Sequence, residues 1–154
     1  DAVLRGAKAA KAAGARVFVH ARACRENLAD LPALEALCRE RGWPFSIHPL
    51  RPKDPAGMNS SYHEVAPDYA ELRAALTGRV RSLTGFPACV ARGVQGRASC
   101  PDENVADSMK LYLNHQAFVK PEECRDCSDS HQFAGTFEEH MRARPDEKKE
   151  LCRS

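Results

Sequence analysis

Apolar positions in the first fifty residues repeat with two different periods, and their alternation predicts helix, strand, helix, strand. Ala2 to Ala13 is built largely of alanine and lysine, strong helix formers, and Gly14 supplies a C-terminal cap. Arg16-Val17-Phe18-Val19-His20-Ala21 has the β-branched and aromatic content of a buried strand. Leu28, Leu31, Leu34 and Cys38 then recur at helical spacing, Leu37 widens the stripe, and Gly42 ends it. Phe45-Ser46-Ile47-His48 follows as a second short strand. Short connections between such elements are the grammar of a parallel sheet with right-handed crossovers. Two strands do not make a stable parallel sheet alone, so partner strands are expected upstream of Asp1.

Beyond His48 the pattern changes. Pro49, Pro52, Pro55, Gly57 and Asn59 give residues 49–65 the composition of a loop. Pro67 suits the first turn of another helix, with Tyr69, Leu72, Ala75 and Leu76 on one face and Gly78 after it. From Gly85 onward the periodicity weakens. Lys110 to Val119 reads as a hairpin turning at Asn114-His115, or equally as a helix through Met109 and Leu113. Thr136 and Glu139 have capping-box spacing, which predicts a helix from Phe137 to Ala143 stopped by Pro145. The charged tail, Asp146 to Ser154, is expected to be loose. No internal repeat is visible.

Composition narrows the class. With 154 residues the chain suits one domain, or part of a larger domain plus an appendage. An apolar share of 43% and a charged share of 29% are ordinary for a soluble globular protein. The 23 basic residues are scattered among 21 acidic ones, which leaves no electrostatic footprint for nucleic acid or a membrane surface. No apolar run approaches the roughly 18–20 residues that span a bilayer, and Arg5 and Lys8 interrupt any signal-like start. The chain begins at Asp1, without methionine, inside a predicted helix, so a missing N-terminal half is expected.

Seven cysteines are the unusual number. Their odd count and the lack of an export signal argue against a disulfide framework and for a reducing, cytoplasmic setting, where clustered cysteines bind metal or do redox work. Cys38 continues the leucine stripe and is expected to be a small buried hydrophobe, while Cys24 lies in a loop without a nearby partner. Neither belongs to a ligand set. In Cys124-Arg125-Asp126-Cys127 the two intervening residues let a tight turn aim both sulfurs at one metal or cluster edge. Backbone N–H groups, Arg125 and Lys120 would favour the thiolates. A zinc knuckle, a redox dithiol and a chance pair all remain open.

Histidines and one asparagine are secondary candidates. His20 and His48 fall at strand positions. His48 precedes Pro49 at a strand's C-terminal end, where α/β folds gather ligands, so it could line a pocket with Arg51, although a structural role is the simpler expectation. Asn27 follows the first strand, and a helix cap or turn accounts fully for its chemistry. His131 and His140 flank the knuckle as conceivable fourth ligands, with solvent-facing positions expected instead.

The order of these segments resembles a known family. Val17-Phe18-Val19, then Asn27-Leu28, then Leu31 and Leu34 resemble the late repeats of the radical S-adenosylmethionine (SAM) partial barrel. Phe86-Pro87-Ala88-Cys89, then Lys120-Pro121-Glu122-Glu123-Cys124-Arg125-Asp126-Cys127, then Ala134-Gly135-Thr136 resemble the Cys-rich SPASM and twitch extensions of such enzymes. The resemblance covers most of the chain and rests on order and spacing. It implies an α/β fold: the C-terminal part of a partial (β/α) barrel with parallel strands over residues 1–80, then a small irregular Cys-rich α+β extension over 81–154. It implies SAM near Asn27, in a pocket that His48 could also line, and an auxiliary iron–sulfur (4Fe–4S) cluster drawing on Cys124, Cys127 and Cys152, with Cys89 and Cys100 contributing to it or to another. The implied chemistry of the intact enzyme is a SAM-derived radical that abstracts hydrogen from a small-molecule or peptide substrate.

The departures matter. Phe133 and Phe137 stand where the extension's third and fourth knuckle cysteines belong, and the family's CxxxCxxC loop is absent from this chain. Alone, the chain is therefore expected to be inactive. The rival reading is a non-enzymatic zinc-binding structural module using Cys89, Cys100, Cys124 and Cys127, which would complete a tetrahedral site. A third is a degenerate remnant that holds no metal.

Overall fold

In the computed structural model, which describes residues 2–50, 60–96, 118–128 and 136–151, the expected alternation of helix and strand opens the chain. Helix α1 (Ala2–Ala12) is followed by Gly14 at φ 85° and buries no residue. Lys11 ties it to the next helix by donating from Nζ to the Arg41 carbonyl at 2.7 Å. Strand β1 (Val19–Ala23) starts three residues later than its composition suggests. Pairing decides this, because β2 (Phe45–Pro49) runs parallel to it in the register Val19↔Phe45 through Ala23↔Pro49.

Helix α2 (Leu31–Glu40) crosses between the two strands, with Leu31, Glu35 and Cys38 on its buried face. Leu28 is also buried, but from the turn before the helix. On the far side of β2 the Ile47 N–H donates to the Ser82 carbonyl at 2.7 Å and the Thr84 N–H donates to the Ile47 carbonyl at 2.9 Å. Leu83 thus forms a parallel bridge to Ile47, so β1, β2 and residues 82–84 lie side by side in sequence order. The observed fold class is mixed α/β with a small parallel sheet.

Several expectations need correction. Residues 60–65 of the expected loop form helix α3 (Ser60–Val65), while 51–59 lie outside the described residues. Helix α4 (Tyr69–Leu76) follows with the expected face, but Pro67 lies before it and not in its first turn, because Asp68 starts the helix in a capping box with Glu71. After Gly85, where no period is evident, stands α5 (Ala88–Gln95) with Ala88, Cys89, Val90, Ala91 and Val94 buried. The helix is short, with Arg92 and Gln95 opposite Val90 and Val94, and it starts from Pro87 without a side-chain cap, so eight residues of pattern carry little signal. Of the Lys110 to Val119 segment only β3 (Phe118–Val119) is described; it pairs antiparallel with β4 (Thr136–Phe137). Helix α6 (Glu138–Ala143) therefore begins one residue later than expected. The tail is not loose through Leu151: a 3-10 helix (Pro145–Glu150) leads to Leu151, which is buried.

One apolar cluster joins these parts. Ala23 and Ile47 from the sheet meet Leu72 and Leu76 from α4 and Val90 from α5, together with Cys124, Met141 and Leu151. Its members come from both sides of residue 80.

Candidate functional site

Side chains alternate across a strand, and the register of β1 and β2 sorts theirs into two faces. Ala21, Ala23, Phe45 and Ile47 point into the apolar cluster with the helices. His20, Arg22, Ser46 and His48 share the opposite face, with His20 across from Ser46 and Arg22 across from His48. His20 and Arg22 are exposed; Ser46 and His48 are half-buried.

Three of these side chains converge. Ser46 Oγ lies 2.7 Å from His20 Nδ1 and 2.9 Å from His48 Nε2, and the two imidazole nitrogens are 3.3 Å apart. A hydroxyl has one proton, so Ser46 donates to one ring and accepts from the N–H of the other. Arg22 donates from Nη1 to the Pro49 carbonyl at 3.1 Å. Burial, then the Arg22 charge, then His20 push the His48 pKa down to about 4. At neutral pH His48 is therefore uncharged and keeps a lone pair for a proton, a metal or a ligand donor.

His48 was identifiable from its place at the end of a strand. Its companions were not, because only the parallel register puts His20 and Ser46 beside it. Arg51 lies outside the described residues. Asn27 occupies the turn after β1 and both of its side-chain atoms are engaged there. Its Oδ1 accepts from the Cys24 N–H at 3.0 Å and its Nδ2 donates to the Arg22 carbonyl at 2.8 Å.

The cysteines divide by depth. Cys38 is buried as expected, and burial, then Glu35, push its thiol pKa up. Cys89 on α5 and Cys124 on the 3-10 helix Glu122–Cys124 both belong to the apolar cluster. Cys127 is half-buried one turn on, with its N–H directed at the Cys124 carbonyl at 3.4 Å. Cys100 and Cys152 lie outside the described residues, as do Phe133 and His131. Among the described residues no three His, Cys, Asp or Glu side chains gather as a metal-binding group.

His140 corrects the expectation of a solvent-facing ring. It is buried, with Nδ1 2.7 Å from the Tyr62 hydroxyl and Nε2 3.1 Å from Glu147 Oε2. Glu147 also accepts from the Tyr69 N–H at 3.3 Å and pairs with Arg144 at 3.3 Å. The ring lies against Tyr69, with centroids 5.1 Å apart. This network clasps the C-terminal segment to α3 and α4 and uses both imidazole nitrogens. Beside it, Ala23, Pro49, Tyr62, Phe86 and His140 line a cavity of about 20 Å³. That is room for a water but not for a substrate.

No described helix is long and apolar enough to cross a membrane. No known protein family, characterised protein or solved structure was found to match this chain, so its functional reading rests on its own residues.

Proposed function

We propose that this chain is the C-terminal part of a cytoplasmic radical SAM iron–sulfur enzyme that modifies a small-molecule or peptide substrate. The observation that carries the reading is the arrangement of β1, β2 and residues 82–84. They are parallel neighbours in sequence order, with the apolar cluster on one face of β1 and β2 and polar side chains on the other. A barrel wall has this form, since its strands present one face to the surrounding helices and the other to the interior.

In this reading His20, Arg22, Ser46 and His48 belong to the inner wall, where His48 contacts SAM or substrate and Asn27 holds the adjoining turn. SAM and its cluster would supply the one-electron chemistry. Cys124, Cys127 and Cys152 would contribute three thiolates to an auxiliary cluster, and Cys89 with Cys100 would contribute to it or to another. The tight turn between Cys124 and Cys127 suits that role. The thiolates would also need polar partners to offset burial.

Anaerobic reconstitution with iron and sulfide tests the reading. Brown protein with broad sulfur-to-iron absorption that fades in Cys124→Ala and Cys127→Ala is expected. Colourless protein carrying zinc that is lost in Cys124→Ala and Cys127→Ala would overturn it and favour the zinc module of Cys89, Cys100, Cys124 and Cys127. Protein that takes up neither metal would overturn both.

A further inference from the structure

We propose that His20 and His48, assisted by Ser46, bind one first-row divalent transition-metal ion on the polar face of the sheet. This site is separate from the cysteines and does not depend on the radical SAM reading.

The geometry is that of a shared ligand sphere. Two imidazole nitrogens 3.3 Å apart, each about 2.05 Å from a common metal, subtend about 107° at it, close to the tetrahedral angle. The Ser46 oxygen, 2.7 Å and 2.9 Å from the same nitrogens, completes a triangle of donors. At the same bond length its angles to the two nitrogens are about 80° and 90°, as in a facial set. Such a set leaves the remaining positions for water or for donor atoms of a substrate. The strands hold the donors in place, because His20 and Ser46 are directly paired and His48 lies two residues beyond Ser46 on the same face.

Ligand chemistry selects the ion. Neutral imidazole suits zinc, nickel, cobalt and copper, whereas magnesium and calcium prefer oxygen donors. Neither a carboxylate nor a thiol belongs to this four-residue face, and the Arg22 guanidinium opposes a cation. Affinity is accordingly modest, and neutralising Arg22 should tighten it.

The decisive experiment titrates the chain with cobalt(II) under anaerobic conditions. Visible absorption is followed alongside the imidazole nitrogen resonances during a matching zinc titration. The expected result is one ion per chain at this site, with ligand-field bands and shifts at His20 and His48, whether or not sulfur-to-cobalt charge transfer reports further cobalt on the thiols. His20→Ala and His48→Ala should each weaken binding more than about tenfold, or 1.4 kcal/mol. Arg22→Gln should strengthen it, and His63→Ala, at an exposed position of α3, should leave it unchanged. His20 is exposed, so the His20 variant reports on binding even if the His48 variant is poorly folded. Cobalt seen only on thiolates, unchanged affinity in His20→Ala, or magnesium binding as well as cobalt would each overturn the proposal.

Discussion

Glu71 serves several partners at once. Arg25 donates from Nε to both its oxygens at 2.8 and 3.0 Å, the Asp68 N–H donates to it at 2.7 Å, and its own N–H donates to Asp68 Oδ1 at 2.7 Å. Arg25 also reaches the His63 and Glu64 carbonyls, so the pair joins the turn after β1 to both α3 and α4. The Arg25 hydrogen bond, followed by the Asp68 N–H, lowers the Glu71 pKa from its usual 4.5 despite partial burial. A depressed carboxylate adds stability above its unfolded value and loses it as pH falls through the folded one. Both side chains are about one-third exposed, so solvent screens the pair strongly. Glu71→Gln should cost about 0.5–1 kcal/mol at pH 7 and progressively less as the pH falls below 4.5, read by urea denaturation across that range. The Asp68-x-x-Glu71 spacing stands in the sequence, but Pro67 beside it points to an earlier helix start. Arg25, 46 positions away, is not legible there, and neither is the partner set that buries His140.

At the scale of elements, helices with a long apolar stripe or a marked start could be recognised, and those without either could not. The leucines of α2 and the Tyr69, Leu72, Leu76 face of α4 announce themselves. The short α5 does not, because its stripe spans only eight residues and Pro87 gives its start no side-chain cap. Strand composition suggested β1, but its start was fixed by a partner whose register no local signal carries. Two glycines of α5 separate backbone strain from helix propensity. Gly96 caps the helix at φ 73° with nothing near its missing Cβ, so Gly96→Ala should destabilise by about 1–2 kcal/mol through strain alone. Gly93 is not at positive φ, and an added Cβ meets only the flexible Arg73 side chain at 3.5 Å. Gly93→Ala should instead stabilise by about 0.5–1 kcal/mol, and thermal melts of the two variants should move in opposite directions.

For the whole molecule, the apolar cluster binds the late chain to the early one: Cys124, Met141 and Leu151 pack with Ala23, Ile47 and Leu72. Leu151→Ala should cost about 2–3 kcal/mol by opening a cavity. Trp43, the sole tryptophan, is buried within the first fifty residues and reports on that half. Its fluorescence transition in urea should shift with the far-UV signal in Leu151→Ala; an unmoved Trp43 midpoint would mean that the halves unfold separately. Composition anticipated a cysteine-rich second half, but it gave no sign that a charged tail would fold back to close the core. The depth of the thiols also governs how the protein ages in air. Cys24 and Cys127 meet oxidants at the native surface, whereas Cys38, Cys89 and Cys124 are reached only when the packing opens. Mild oxidation therefore spends Cys127 before Cys124, while the fold around the pair still stands.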